Sequence, residues 1–584
     1  MTITKKIKKL DNKNIEDIIA LTPTQEGMLF HYLKEPGSRA YHEQLILEIT
    51  GNIDIKCFQA AWNFVIETNE MLRTVYRWEN MANPVQVVLK KHQLQVEYFD
   101  FLGKDRNGRK KVVEAMKRKD REKKFNLEDV TFRVTLYKVD TNRYEMIISN
   151  HHILYDGWSN GIILGEFFNA YHDLAEGKPL KPLLKTKFKE FVKWLRCQET
   201  TKQEAFWKEY LQDFNIRIEG NYPARRYKRK EITGTGNHLI KLPAEMKDKL
   251  TDFARSRNLT FASLLYTVWG ILLQHYNSTD DVLFDTTVSG RSAKVREIEN
   301  MVGLFINTLP LRMQTNPGEK LSNLVSRMHH MLQKREIFEN SSPIGINEHL
   351  HDYHNQHLFD SVIILENYPL DRILIQENGP LTVNAFYISE ITHYDLTVIV
   401  TIFGDIKVTV TYNKDRFDRD SMLRLDNHFT AIFREVLENP NKTIDQLEPL
   451  PEQEKKRILS SPGNQMKVNI AAESKSRESV CQEIPYISTQ AFPTDDMEKG
   501  LVRIWEEVLG KKPGPEDDFF EIGGSSLQLV RIYKQINERY PGKIKVNDFF
   551  AHPTIRKLKQ LLISKDVYHV GTIAKKKKIK NINF

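Results

Sequence analysis

The sequence predicts an α/β fold: two α/β lobes with mixed sheets, then a small α-helical bundle toward the C-terminal end. Three observations carry this reading. Over the first 450 residues or so, strand-like runs of period two alternate with helix-like runs of period 3.6. The pattern restarts partway, giving comparable halves at about residues 14–180 and 235–450. After a Ser-, Glu-, Gln- and Pro-rich stretch over 451–493, which reads as a linker, only helical periodicity remains. At 584 residues the chain is also too long for one ordinary core.

The elements follow in order. Residues 13–20 read as a first helix with Ile15, Ile18 and Ile19 on one side. Thr22-Pro23-Thr24-Gln25 is a capping box with proline at the first helical position; Met28, Leu29 and Leu33 give that helix its stripe. A strand at 45–49 leads to a helix after Asp54, with Phe58, Trp62 and Val65 inward. A strand at 74–78 and a charged helix at 106–124 come next. Phe132, Val134 and Leu136 alternate, Asp140-Thr141-Asn142 turns, and Tyr144, Met146 and Ile148 alternate again. That predicts a hairpin ending at His151, before an apolar helix at 162–174. A polar segment near 221–236 crosses to the second half. There a strand at 238–242 precedes helices at 246–255 and 260–276. Strands at 282–288, 305–312 and 361–367, a hairpin at 396–403 and 407–412, and a helix at 419–437 complete it. The last unit, 494–566, shows helices capped by Thr494, opened by Ser526 and capped by Thr554.

Composition excludes several classes. Forty per cent apolar and 28 per cent charged residues make a soluble globular mixture. No apolar run spans a bilayer, and the basic start lacks the apolar segment of a secretory signal. Cys57, Cys197 and Cys481 are too few and too scattered for a disulfide framework or zinc ribbon; a reducing, cytoplasmic setting is expected. The formal charge of +9 is modest, and part of it lies in a basic tail over 567–584. No nucleic-acid module accompanies it.

Two runs carry chemistry. One is Asp517-Asp518-Phe519-Phe520-Glu521-Ile522-Gly523-Gly524-Ser525-Ser526-Leu527. A serine at a helix start meets unpaired N–H groups and a positive field, which favour an attached phosphodiester. Gly523-Gly524 gives the loop a tight turn and leaves room for a docking enzyme. Taken alone, Ser526 reads better as an ordinary N-cap, because caps are common.

The other run is His151-His152-Ile153-Leu154-Tyr155-Asp156-Gly157, at a strand end. A nucleophile that attacks a carbonyl sheds a proton. A neutral imidazole at His152 can take that proton or hold the nucleophile. The Gly157 N–H is a candidate donor to the tetrahedral oxyanion, and alignment of the reactants supplies much of the rate. Three other readings stand beside this one. His151, His152 and Asp156 form a partial metal set without a further ligand cluster. Gly157-Trp158-Ser159-Asn160-Gly161 has the pattern of a hydrolase elbow, with Ser159 as nucleophile or simply as an early-helix polar residue. His151 is also readable as purely structural.

The C-terminal unit resembles the peptidyl carrier domains of nonribosomal peptide synthetases along its full length. The resemblance implies that Ser526 carries a 4'-phosphopantetheine arm; Ser525 stands where the family usually has His or Asp. Residues 14–450 resemble the condensation domains of the same synthetases, built from two chloramphenicol-acetyltransferase-like lobes around a tunnel. Leu21 to His31, Asn69 to Thr74, His151 to Ser159, Val288 to Arg291, Met301 to Thr308, Glu366 to Pro369 and Tyr394 to Leu396 follow the family's motifs in order. The second of these lacks the usual Arg-His start, and Asp285 stands where Gly is common. A sheet-edge place for Asp285 would make it tolerable. The resemblance implies that His152 is the key site residue and that Asp156 is mainly structural, pairing with Arg291. Asn307 either faces the tunnel or caps a strand end.

The expected activity is amide-bond formation between an upstream acyl or peptidyl thioester, delivered in trans, and an aminoacyl thioester on the arm of Ser526. The expected partners are an upstream carrier protein, a separate adenylation enzyme, a phosphopantetheinyl transferase and a downstream synthetase or thioesterase. No adenylation-like stretch is visible in the sequence. Residues 1–20 read as a docking segment or as a solvated leader. The competing reading, from a different class, is an inactive condensation-like scaffold that docks a working carrier.

Overall fold

A computed structural model of the chain describes residues 10–34, 38–79, 81, 83–214, 234–348, 361–366, 380–392, 394–403, 405–448, 496–519, 522, 524, 526–546 and 548–563. The linker, the basic tail, most of the 221–236 crossing, the 367–369 motif residues, Thr494, Phe520, Gly523 and Ser525 lie outside these residues. The chain divides into a large unit and a small one.

The first half of the large unit runs β1 (Ile15–Ala20), α1 (Pro23–Lys34), β2 (His42–Gly51), α2 (Ile55–Thr68), β3 (Thr74–Arg77) and β4 (Val85–Leu89). It continues with β5 (Glu97–Asp100), α3 (Arg106–Glu122), β6 (Phe132–Asp140), β7 (Arg143–His151) and α4 (Gly157–Ala175). Capping decides where helices begin. Asp54 accepts from the amides of Lys56 and Cys57 at 2.7 and 2.9 Å and starts α2. The Trp62 ring of α2 then stacks on Phe167 of α4 at 4.5 Å. Helices α5 (Phe188–Arg196) and α6 (Thr200–Leu211) follow; sequence periodicity did not reveal them.

Residues 15–20 are a strand, not a helix. β1 pairs antiparallel with β4 in a three-stranded sheet ordered β1-β4-β3. Ile15, Ile18 and Ile19 do not share a face: Ile19 is buried while Ile18 is 57% exposed. Pairing with Val85–Leu89 outweighed the apparent helical spacing, and β-branched isoleucines suit a strand.

The second half runs β8 (Thr235–Lys241), α7 (Ala244–Ser256), α8 (Phe261–Asn277), β9 (Asp281–Val288), β10 (Asn307–Gln314) and α9 (Leu321–Glu336). Then come α10 (Pro343–Glu348), β11 (Ser361–Glu366), β12 (Leu381–Glu390), β13 (Leu396–Phe403), β14 (Asp405–Asn413) and α11 (Arg419–Glu438). Its six-stranded mixed sheet is ordered β10-β9-β11-β13-β14-β8. Helix α8 is apolar around its circumference because it is buried on all sides, with Trp269, Leu272 and Tyr276 in one core with Phe429 and Phe433 of α11.

The halves are not independent. Strand β12, which alternation in the sequence did not reveal, leaves the second half and completes the first half's sheet, ordered β12-β2-β7-β6-β5. It pairs antiparallel with β2, placing Glu390 directly opposite Glu43. Asp285 does not have a sheet-edge place. β9 is an interior strand, and Asp285 lies between Pro310 of β10 and Val362 of β11. It is tolerated there because Tyr394 donates to its carboxyl at 2.6 Å, while burial raises its pKa to about 7.

The small unit contains α12 (Asp496–Leu509), α13 (Ser526–Arg539), α14 (Asp548–Ala551) and α15 (555–563). Leu501, Trp505, Leu529, Ile536, Phe549, Ile555 and Leu558 build its core, with Phe519 edge-on to Trp505 at 5.1 Å. Buried Glu498 of α12 accepts from Lys559 of α15 at 2.7 Å, so its charge is paired. Among the described residues no helix is long and apolar enough to cross a membrane, and no cluster of His, Cys, Asp and Glu forms a metal site.

Candidate active site

The 151–157 turn joins the end of β7 to the start of α4 and is held from below. Gln25 closes the capping box, accepting from the Thr22 amide at 2.9 Å, and its own amide donates to the Ile153 carbonyl at 3.1 Å. The Tyr76 hydroxyl donates to the same carbonyl at 2.8 Å. The turn's path is thus set by buried hydrogen bonds from α1 and β3.

His152 is 5% exposed. Its amide donates to the carbonyl of Tyr41, a residue at φ +66°, at 2.8 Å. Its Nδ1 lies 3.0 Å from the Tyr155 carbonyl oxygen. Its Nε2 lies 3.5 Å from Glu43 and 3.5 Å from Glu390. Burial by itself would favour the neutral ring, but Glu390 first and then Glu43 outweigh it and lift the pKa to about 10. The two carboxyl groups thus favour the imidazolium form, where the motif alone suggested a neutral base. Burial raises the pKa of Glu43, whose other oxygen accepts from Asn160 at 2.9 Å. For Glu390 burial acts in the same direction, but the His152 charge prevails and lowers it.

His151 plays a different part. Its ring accepts from the Ile153 amide at 3.2 Å, and burial, reinforced by His152, lowers its pKa to about 3. It is a neutral packing residue beside Tyr41.

Asp156 is saturated. One oxygen accepts from the Ser159 amide at 3.1 Å, the Ser159 hydroxyl at 2.9 Å and Arg291 Nη2 at 3.1 Å. The other accepts from the amides of Phe305 and Ile306 at 3.1 and 3.3 Å. Asp156 caps α4 and fastens it to the second half. Arg291 meets it through one nitrogen rather than a bidentate fork. Its other terminal nitrogen donates to the carbonyls of Ile298 and Met301, and the guanidinium lies 4.1 Å from the centre of the Phe305 ring. Ser159 is fully buried, shares this network, and has its hydroxyl at 3.1 Å from the Gly303 carbonyl. That is an early-helix polar residue, not an exposed hydrolase nucleophile. Gly157 opens α4.

Asn307 begins β10 and is 4% exposed. It donates to the carbonyls of Glu339 and Ser341 at 2.9 and 2.7 Å and accepts from Thr24 at 3.1 Å. It caps the strand end while lining a small cleft with Thr22, Phe191 and Leu304.

Sequence reasoning missed Glu43 and Glu390. Glu43 sits between His42 and Gln44 in an unremarkable polar run at the start of β2, and Glu390 lies on the strand that alternation did not reveal. Their proximity arises only from the β2–β12 register.

In the small unit Ser526 is the first residue of α13. Upstream, Gly524 donates to the Phe519 carbonyl at 2.9 Å, and a Cβ at position 524 would meet that oxygen at 2.5 Å. The close packing of this glycine turn on the bundle, and a serine at the helix start beyond it, fit a covalently held phosphodiester.

Comparison with known proteins identifies the families. The condensation domain family matches residues 15–459, and the phosphopantetheine attachment site family matches residues 499–562. Gramicidin S synthase 2 of Brevibacillus brevis is 33% identical over 453 residues, covering 76% of this chain and 10% of its own length. Bacitracin synthase 3 of Bacillus licheniformis is 30% identical over 459 residues, covering 76% and 7%. The chain thus spans about a tenth or less of the length of these relatives. Among solved structures, the X-domain from teicoplanin biosynthesis superimposes with a TM-score of 0.64 at 18% identity, over 76% of this chain and 100% of that one. The first condensation domain of the calcium-dependent antibiotic synthetase gives 0.62 at 18% identity, over 75% and 100%. The second family's prosthetic group is 4'-phosphopantetheine. The chain belongs to the condensation domain family of nonribosomal peptide synthetases, and a carrier domain follows that domain in the same polypeptide.

Proposed function

We propose that this chain forms amide bonds in nonribosomal peptide synthesis. The amine of an acceptor aminoacyl group attacks the carbonyl of a donor acyl or peptidyl thioester at His152. The observation that carries this reading is the ring of His152, buried at the end of β7 with its Nε2 facing two carboxylates, in a chain that also bears a phosphopantetheine-attachment domain. Ser526 is the residue that holds the prosthetic group, whose thiol supplies the thioester linkage when bound.

The roles of the chain's own residues follow from their contacts. The Tyr155 carbonyl sets the ring orientation of His152. Asp156, Arg291 and Ser159 lock the start of α4 to the second half and so hold the turn that bears the ring. His151 packs the strand end. The Gly157 amide, at the positive end of α4, is a donor toward the developing oxyanion. The partners in this reading are a phosphopantetheinyl transferase, other carrier domains of a peptide synthetase and an adenylation enzyme that loads Ser526.

The test has two stages. Incubation with coenzyme A and a phosphopantetheinyl transferase should add one arm, and Ser526→Ala should abolish the mass gain. Donor and acceptor carriers are then loaded, mixed and followed by intact mass. Product from the native chain with none from His152→Ala supports catalysis. Equal yields from both leave an inactive docking scaffold as the correct description.

A further inference from the structure

We propose that Glu390 is a positioning residue that keeps His152 protonated, so that His152 gives a proton to the departing sulfur before it takes one from the attacking nitrogen. This rests on the condensation reading above, but the geometry stands apart from it.

The argument begins with hydrogen-bond chemistry. A carbonyl oxygen only accepts, so the Nδ1 facing Tyr155 at 3.0 Å bears a hydrogen. If the ring were neutral, Nε2 would then turn a lone pair toward two carboxyl groups, each 3.5 Å away. That arrangement repels unless a proton sits on Nε2 or on a carboxyl. The strand register sharpens the point. Glu43 and Glu390 are direct partners on β2 and β12, and like charges so placed destabilise a sheet. A cation between them removes the conflict.

The other groups facing the ring do not supply that balance. Asp156 is already engaged by Arg291 and three backbone amides. His151 is neutral. Of the two glutamates, Glu43 is the more deeply buried, with 3% side-chain exposure against 17% for Glu390. Burial pushes Glu43 toward its protonated form, and Glu390 keeps the negative charge. The resting site then holds the His152 imidazolium against the Glu390 carboxylate.

The proton count closes on this arrangement. The C–N bond forms as the amine attacks. The C–S bond breaks, and the thiolate takes the Nε2 proton of His152. The surplus proton on the new amide nitrogen passes to the vacated Nε2. The products are an amide and a thiol, and the imidazolium is restored. Glu390 never needs to touch the substrate; it favours the charged ring at the start and the end of the cycle.

The test uses the full chain labelled with 13Cε1-histidine. His152→Gln removes, and thereby assigns, the His152 resonance. In the native chain that resonance should stay at its imidazolium position through pH 8. An opposite charge within about 4–6 Å moves a pKa by about 1–3 units, so in Glu390→Gln the midpoint should fall by about two units. Glu43→Gln should move it less. A native midpoint at or below pH 7, or no change in Glu390→Gln, overturns the proposal.

A rate measurement gives the second readout. The ratio of Glu390→Gln to native condensation rates cancels titration of the substrate amine. It should stay near one at pH 6 and fall about tenfold by pH 9, as a two-unit drop from about 10 requires. A ratio independent of pH refutes the acid-first role. If the resonance behaves as expected while no chain forms product, the protonation inference stands and the condensation reading fails.

Discussion

His152 and Asp156 lie four residues apart in one turn, and both are almost fully buried, yet their surroundings are opposite. Asp156 accepts hydrogen bonds from backbone, serine and arginine on its two oxygens. His152 has one carbonyl and two carboxyl groups at longer range. A saturated buried charge is a fastener: its interactions are complete and a change only weakens them. A buried ring facing two acids keeps a proton whose position depends on its neighbours, which is the condition for chemistry. The difference teaches that motif membership alone does not distinguish structural from chemical residues. The count and kind of partners does.

The largest expected effect breaks the comparison at its chemical end. His152→Ala should lower the condensation rate by about 10²–10⁴-fold, the usual contribution of a positioned acid or base, with both units still folded by circular dichroism. A rate loss below about threefold would remove His152 from the reaction.

At the structural end, Arg291→Ala leaves Asp156 buried without its cation. Breaking a buried pair costs about 3–5 kcal/mol, so the melting temperature of the large unit should fall and soluble yield should drop. A variant that melts like the native chain would show that the remaining hydrogen bonds from Ser159, Phe305 and Ile306 suffice for Asp156.

A third test asks whether other buried acids behave like Glu43 or like Asp156. Asp285 has one tyrosine partner, and its folded pKa of about 7 lies above its ordinary value. The folded state therefore holds more protons than the unfolded chain across that window. The stability this contributes is complete below about pH 4 and is lost as the pH rises through 7. Asp285→Asn should remove the slope. Denaturant titrations at pH 5 and pH 8 should differ by about 2–3 kcal/mol more in the native chain than in the variant. Equal slopes would mean that Asp285 is ionised throughout.

The smallest effect sharpens the picture of the turn itself. Gln25→Ala leaves the Ile153 carbonyl with the Tyr76 hydroxyl as its side-chain donor and should cost about 1–2 kcal/mol. The accompanying fall in condensation rate should be modest and independent of pH, unlike that of Glu390→Gln.

Much of this molecule was legible in its sequence. The Thr22-Gln25 capping box, the Asp54 cap, the 132–151 hairpin and the apolar helix α8 all depend on residues close in the chain, and all are present. The family resemblance also implied a pairing of Asp156 with Arg291, 135 positions away, and the structure brings the two together. Where the reading failed, distant pairing was the cause. The isoleucines of β1 have helical spacing, and only β4 makes that segment a strand. A sheet edge would have made Asp285 tolerable, but β11 covers β9 on that side, and only the fold supplies Tyr394 as its partner. The charge state of His152 could not be read because no neighbouring residue in the chain reveals Glu390.

Local sequence, then, determined most helices and several of the strands, because capping, periodicity and turn chemistry act over a few residues. Tertiary structure alone decided that β12 crosses from one half to the other's sheet. That single pairing places two carboxyl groups against one imidazole, and an electrostatic environment is a property of distance in space, not of order along a chain.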